Sequence, residues 1–465
     1  MGALTPSQVA SNPADLAMTS EKASAHSSNS RHLPLASAYL GLLTFMFVYF
    51  ARPEDWIPGF SQVPLAKVTG ILALVALACS INQFRQRIPR EVFYLFLLVG
   101  QLFVSSLFSP IWRGGSVAMT LDFSKLLLIV PLIIGTVTTS RRLRLLLLSQ
   151  AVSVAAIAAV VIWKGHLLGG RLEGVLGGNY TDPNDLALAI ILSLPFCLVL
   201  LFLSRTVIRK MFWSVSMLVM AYAVFLTGSR GGFAAFIVVV AICLWEFAIR
   251  GRRRYLLLLA AVAGVVLWQF AGGNLAERLR GTFDPNDESS PAYASAQERQ
   301  QLFWRSIEIT REHPLFGVGP NNFAQVSGVW HTTHNSLTLL SSEAGIPALL
   351  LYLMILWCGF RNLRAAMRLT RGQRESSILV RGIYASFCGY LVGSLFLSWA
   401  YLFLPYILVA YTTPLLSIAR KSLAQGKKSE SFQKAKDEKR STMPSPEHEL
   451  CFSIPSNSLY PQRWN

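Results

Sequence analysis

The residues of this chain best suited to chemistry form a polar island between positions 313 and 345, set just before and inside a long apolar run. It comprises the stretch from His313 to Phe323, then His334, Asn335 and Ser336, then Glu343, Ala344 and Gly345. Ionisable and amide side chains are costly at membrane depth unless they line a cavity or meet partners, so their clustering marks a functional site by default. Gly317, Gly319 and Pro320 suit a tight turn, and Asn335 or Ser336 suits the N-cap of the helix that follows. His334 then stands at the positive end of that helix's dipole, which keeps an imidazole neutral and able to take a proton. The plainer alternative is a structural histidine, with His331 the nearest competitor for the role, and no Ser, His, Asp triad is legible around either. Glu343, two helical turns deeper, is placed to hold a partner.

A second constellation is the turn Thr227, Gly228, Ser229, Arg230, Gly231, Gly232 between two apolar runs. Its glycines expose backbone donors and permit positive φ, so the turn can set an arginine and N–H groups against an oxyanion at a helix start. The donor fork of Arg230 suits phosphate. The bland reading is a hairpin whose arginine reaches the headgroups. A third is the loop from Lys164 to Asp185, with Arg171, Glu173 and the run Tyr180, Thr181, Asp182, Pro183, Asn184, Asp185. Asn184 or Asp185 suits an N-cap there and Pro183 a turn. Oxygen ligands cluster in this loop, but no spacing characteristic of a divalent-cation site supports a metal, and none is expected.

The elements that carry these groups are membrane helices. With 53% hydrophobic and 14% charged residues and a mean hydropathy of +0.45, the chain falls outside the range of soluble domains. Apolar runs long enough to cross about 30 Å of hydrocarbon recur near 33–50, 63–82, 91–109, 116–138, 143–163, 185–203, 211–228, 232–249, 255–272, 336–360, 378–397 and 400–419. The expected fold is therefore an all-α polytopic integral membrane protein of about twelve spans with a long outer loop before the tenth. Residues 1–32 read as a disordered tail, 33–272 as spans one to nine, 273–335 as the outer loop, 336–419 as the last three spans, and 420–465 as a disordered basic tail. Within the loop, Gln300 to Arg311 has the spacing of an amphipathic helix lying on the membrane face, preceded by an acidic stretch with Asp284, Asp287 and Glu288.

The net charge of +18 gathers in alternate loops, such as Arg85, Arg87, Arg90 and Arg250, Arg252, Arg253, Arg254. By the positive-inside rule these loops and both termini are cytoplasmic. The charge is thus a topology signal, not a nucleic-acid surface, and the constellations above face outward. None of the six cysteines falls in an outer loop or shows metal-ligand spacing, so they read as small apolar residues.

Taken in order, the Ser229, Arg230, Gly231 turn, the run His313 to Phe323, and His334, Asn335 followed by Glu343, Ala344, Gly345 resemble the O-antigen ligase and polymerase superfamily, in particular ligase-like members of bacterial polysaccharide loci. The resemblance covers Arg171 to Tyr352 well. It implies a multi-pass enzyme of the bacterial inner membrane that moves a glycan from undecaprenyl diphosphate to an acceptor hydroxyl, such as that of lipid A core, on the periplasmic side. It implies neither metal nor cofactor. By motif position His334 would be the base and Arg230 and Arg299 would hold the diphosphate, supported by Asn335, Glu343 and Arg171. Implied partners are the lipid-linked donor, a glycolipid or glycan acceptor and membrane lipids, with no nucleic acid. A polymerase of the same superfamily, using a second lipid-linked glycan as acceptor, is the nearest alternative. A polysaccharide transporter is a more distant one, since transport calls for a polar site at the membrane midplane between broken helices.

Overall fold

A hydrocarbon surrounding leaves backbone N–H and C=O groups no partners but one another, so apolar runs of this length close their hydrogen bonds as helices. The computed structural model describes residues 35–57, 59–60, 62–79, 88–165, 167–168, 170–174, 180, 182–283 and 291–441. Each expected span coincides with helix: α1 (Ala36–Ala51), α2 (Leu65–Cys79), α3 (Arg90–Leu107), α4 and α5 (Arg113–Ser124 and Leu126–Thr136), α6 (Ser140–Lys164), α7 (Pro183–Leu203), α8 (Val207–Leu226), α9 (Arg230–Cys243) and α10 (Tyr255–Ala271). After α11 (Gly273–Phe283) and α12 (Pro291–Glu312) come α13 (Ser336–Leu369), α14 (Arg374–Gly393) and α15 (Phe403–Ser441). Among the described residues, 8 helical stretches are long and apolar enough to cross a membrane. A ninth candidate is α10 with Leu275–Gly281, bent by 79°. The expected spans outside that set are α1 and α2, which are shorter, and α14.

The core sits around α7, 83% of whose apolar window is buried, and which packs against α6, α8, α9 and α14. A second group joins α3, α13 and α15. Gly382, Gly389 and Gly393 give α14 its approach to α7 and α9, since an added Cβ would lie 2.2 Å from Val199, 2.3 Å from Val239 and 2.5 Å from Leu188. Small residues at such crossings let membrane helices pack by close van der Waals contact. Cys197, Cys243 and Cys358 are buried within this helical core, and all five described cysteines are unbridged; Cys451 lies outside the described residues.

Several local expectations are revised. Asp182, rather than Asn184 or Asp185, caps α7, its carboxylate accepting from the N–H groups of Asn184 and Asp185 with Pro183 in the first turn. The long segment before α13 is mostly helical, and α12 starts at Pro291, so Arg299 lies inside a helix that was expected to begin after it. The acidic stretch 284–288 and the N-terminal tail lie outside the described residues. Of the basic C-terminal stretch, 442–465 also lies outside, whereas 420–441 continues α15. A helix already nucleated in the core propagates at little cost through residues such as Lys, Glu, Gln and Ala. A two-residue ladder, β1 (Leu167–Leu168) against β2 (Arg171–Leu172), is the one departure from all-helix among the described residues.

Candidate functional site

The opening island divides into two parts with different work. Its first part is a latch. α13 breaks at Gly345, whose φ of 82° and ψ of 171° interrupt the helix just before Pro347. The loop from Pro314 to Gly319 lies along the break and hydrogen-bonds to it: Val318 N–H to Ser342 O at 3.0 Å, Gly319 N–H to Glu343 O at 2.8 Å and Ile346 N–H to Pro314 O at 2.8 Å. α3 and the turn just after it supply a polar stripe for the carbonyls that remain. Gln101 donates to Leu315 O and Ala344 O, Ser105 to Phe316 O and Glu343 O, and Ser109 to Val318 O. Non-helical backbone inside a membrane protein needs this protection by neighbouring helices.

Glu343 completes the latch. It is 2% exposed, and its two carboxylate oxygens accept the N–H groups of Asn321 and Phe323, both at 2.9 Å. It does not line the cavity described below. The glycines are required here: a Cβ at Gly317 (φ 63°) would sit 2.3 Å from the carbonyl carbon of Glu343, and one at Gly345 would sit 2.3 Å from Leu315 O. Replacing Gly317 with Val adds this backbone clash to the cost of a left-handed β-branched residue, a loss on the order of 3 kcal/mol or more. A shift of the thermal unfolding midpoint of detergent-solubilised protein checks it, and a midpoint equal to wild type would refute the latch.

The second part of the island opens on a cavity of about 350 Å³. Arg230, Arg299, His334 and Asn335 all line it, together with Phe303, Leu395 and Phe396. α12 contributes Ala296, Arg299, Gln300 and Phe303, which repeat at i, i+3, i+4 and i+7 and so form one helix face. Arg299 is half-buried, and its Nε, among the described residues, has no hydrogen-bond partner. Arg230 is the first residue of α9. Ser229 caps that helix by accepting from Gly232 N–H at 3.1 Å, so this donor turns inward instead of facing an anion. Gly231 and Gly232 are there for close approach: an added Cβ would meet Phe396 Cβ at 2.5 Å and Ala187 Cβ at 2.9 Å.

His334 is held in a left-handed conformation, φ 50°, uncommon outside glycine and a form of strain found at functional sites. Its neighbours fix it. Asn335 caps α13, accepting from Leu337 and Thr338 N–H. Ser336 N–H donates to Ser394 O at 2.8 Å, and its hydroxyl donates to Leu397 O at 2.6 Å. The loop 394–399 thus carries both the strap behind His334 and the wall residues Leu395 and Phe396. Sequence reading missed this loop, because its apolar residues merge with the runs on either side. His331, the competitor, is 61% exposed on its side chain, pairs with Glu298 and does not line the cavity.

Arg171 stands beside the cavity without lining it. It donates from Nε to Thr227 O at 3.0 Å and from Nη2 to Asn184 Oδ1 at 3.0 Å, and Asn184 Oδ1 also accepts the Ser229 hydroxyl at 2.7 Å. β2 is thereby tied to the Arg230 turn. Arg278 on α11, which no motif flagged, completes the cluster, its Cδ lying 3.3 Å from where a Gly228 Cβ would be. Burial, then Arg278, brings the Arg171 guanidinium down to about 10, with Arg299 and Arg230 acting in the same direction and Asp182 opposing. Burial and then Arg299 depress His334 to about 4, so the imidazole is neutral at pH 7. Among the described residues, the carboxylates that counter this field are Asp182 and Glu298.

Residues 215–353 match a family model described as O-Antigen ligase, a span that contains Arg230, Arg278, Arg299, His334 and Glu343. The match supports membership of the O-antigen ligase superfamily. No curated protein matches the chain closely enough to count as a relative. The superfamily comprises membrane enzymes of ligase or polymerase type that transfer glycans, working with a lipid-linked glycan and an acceptor. With the apolar helices above, the match supports a multi-pass inner-membrane protein.

Proposed function

We propose that this protein is a glycosyltransferase of the O-antigen ligase type that moves a glycan from undecaprenyl diphosphate to an acceptor hydroxyl on the periplasmic side. The observation that carries the reading is the convergence of Arg230, Arg299 and His334, from three separate elements, on one cavity. The acceptor oxygen attacks the anomeric carbon of the donor sugar and the bond from that carbon to the phosphate oxygen breaks. The lipid diphosphate leaves with the electron pair, and the hydroxyl proton passes to the His334 ring nitrogen. Arg230 and Arg299 stabilise the charge that grows on the diphosphate. His334, neutral before the step, acts as general base.

The electrostatics of the cavity suit an anionic donor. The guanidiniums of Arg171, Arg230, Arg278 and Arg299 act on one another as like charges. A bound diphosphate diester carries two negative charges and offsets that repulsion. The same anion cancels part of the field that depresses His334, so donor binding makes the imidazole a stronger base when it is needed. These guanidiniums supply the charge neutralisation that a divalent cation supplies in other diphosphate enzymes, and the scheme runs without one. The periplasmic placement rests on the basic residues gathered in the opposite set of loops.

The test is purified protein with undecaprenyl-diphosphate glycan and separate acceptors, lipid A core and a second lipid-linked glycan. A new glycosidic bond to lipid A core, with release of undecaprenyl diphosphate, is the expected result. Bond formation only to the second lipid-linked glycan would make it a polymerase. Movement of the donor across a bilayer without bond formation would overturn the reading in favour of transport.

A further inference from the structure

Arg230 and His334 stand on separate segments of the chain, and a phosphate grip and a base act together only at a fixed separation. The start of α7 lends no side chain to the cavity wall among the described residues, yet it meets both segments. Its helical phase is set by the Asp182 cap and by Pro183 in the first turn. One face of its first two turns meets the arginine side. Asn184 Oδ1 accepts from Arg171 and from the Ser229 hydroxyl, and Ala187, three residues on, has its Cβ 2.9 Å from where a Cβ on Gly232 would lie.

The adjacent face of the same turns meets the histidine side. Trp399 donates from Nε1 to Asp185 Oδ1 at 2.7 Å. Leu188, three residues on from Asp185, packs against Gly393, where an added Cβ would lie 2.5 Å from the leucine Cδ1. Gly393 and Trp399 bracket the loop that carries Leu395 and Phe396, and this loop is fastened along its length to the segment that holds His334. Asn335 Nδ2 donates to Leu395 O at 3.3 Å, the Ser398 hydroxyl donates to Thr332 Oγ1 at 3.0 Å, and Trp399 N–H donates to Ser336 Oγ at 2.9 Å. Trp399 is 3% exposed, so its indole N–H has no water to turn to when Asp185 is removed.

We propose that Asp185 is a positioning residue: through Trp399 it seats the loop 394–399, and with it His334, at the separation from Arg230 that the transfer step requires. This rests on the donor and base roles proposed above. Asn184 and Asp185 are neighbours in one capped helical turn, so a shift of the loop on Asp185 becomes an error in the distance between base and diphosphate. A misplacement of about 1 Å costs on the order of 10²-fold in rate. Asp185 does not line the cavity, so its loss acts on the rate, whereas the grip on the donor stays with Arg230 and Arg299.

The experiment uses the full chain in phospholipid nanodiscs. It measures kcat for glycan transfer from undecaprenyl diphosphate, and equilibrium binding of undecaprenyl diphosphate, for wild type, Asp185→Leu, Asp185→Asn, Trp399→Phe and the double variant of Asp185→Leu with Trp399→Phe. Asp185→Leu keeps the side-chain volume but accepts no hydrogen bond, and should lower kcat about 10²-fold with donor binding unchanged. Asp185→Asn still offers an amide oxygen to the indole and should lose roughly fivefold at most. Trp399→Phe should show the same split as Asp185→Leu, and carries the test should that variant not fold. The double variant should be no slower than the slower single one, because both remove one bond. Full kcat in Asp185→Leu and Trp399→Phe would overturn the assignment. So would an Asp185→Asn as slow as Asp185→Leu, since the carboxylate and not the bond would then be needed, and so would a loss of donor binding as large as the loss of kcat, since the whole site would then have loosened. A wild type that neither transfers glycan nor binds the donor would bring down the functional reading and the Asp185 role with it.

Discussion

The rate–pH profile of kcat/KM should keep its acid limb well below the ordinary histidine range, near the value of about 4 set by burial and by Arg299. His334→Ala should remove about 10²- to 10⁴-fold of the transfer rate. The sign follows from the role: a base must be unprotonated, burial and a neighbouring cation both disfavour the imidazolium, and so activity survives mild acid and falls only as pH approaches the depressed value. Because kcat reports the donor complex, where the diphosphate offsets part of the Arg299 field, its acid limb should lie above that of kcat/KM. In Arg299→Gln the free-protein value should rise, though not fully, since burial is the larger cause and remains. Histidine ring NMR titration reads that shift without requiring activity. An acid limb in kcat/KM at the ordinary histidine value, with no rise in Arg299→Gln, would remove His334 from the base role.

Arg230→Ala should lower kcat/KM by about 10²- to 10³-fold, the usual cost of deleting one preorganised donor to a developing oxyanion. Arg230→Lys should recover only part of this, because an ammonium lacks the planar fork that grips a phosphate through two hydrogen bonds. The decisive companion measurement is stability. Arg230 lies among Arg171, Arg278 and Arg299, so the like-charge repulsion its removal relieves offsets the contacts it gives up, and the thermal midpoint should stay close to wild type. A lost midpoint together with lost activity would show that Arg230 holds the fold instead of the donor. Arg278→Ala, one step further from the cavity wall, should weaken diphosphate binding less than Arg230→Ala does.

Much of the candidate site was legible because its chemistry is unusual for its setting. An arginine in a short turn facing away from the basic loops, and a histidine at the mouth of an apolar helix, are costly placements that composition alone exposes. The division of the 313–345 island was not legible. Glu343 is close to His334 in sequence, yet its carboxylate is spent on the N–H groups of Asn321 and Phe323, and the reason lies in Gly345. Positive φ at that glycine breaks α13, and the break draws in the loop at Pro314–Gly319 and the polar stripe of α3, more than two hundred residues earlier. Arg278 was hidden for a different reason: α11 is short, follows a 79° bend and carries no motif, so only its approach to Gly228 marks it.

The sequence by itself determined the all-α membrane class, the apolar runs that become helices, and the candidacy of Arg230 and His334. These follow from local physics, the cost of polar atoms in hydrocarbon and the period of a helix. Tertiary structure decided which of these groups share a cavity, that His334 and not His331 faces it, and that Glu343 serves the latch. Such choices depend on which helices meet and at what separation, set by residues such as Gly231, Gly345 and Gly382 through contacts between segments far apart in the chain.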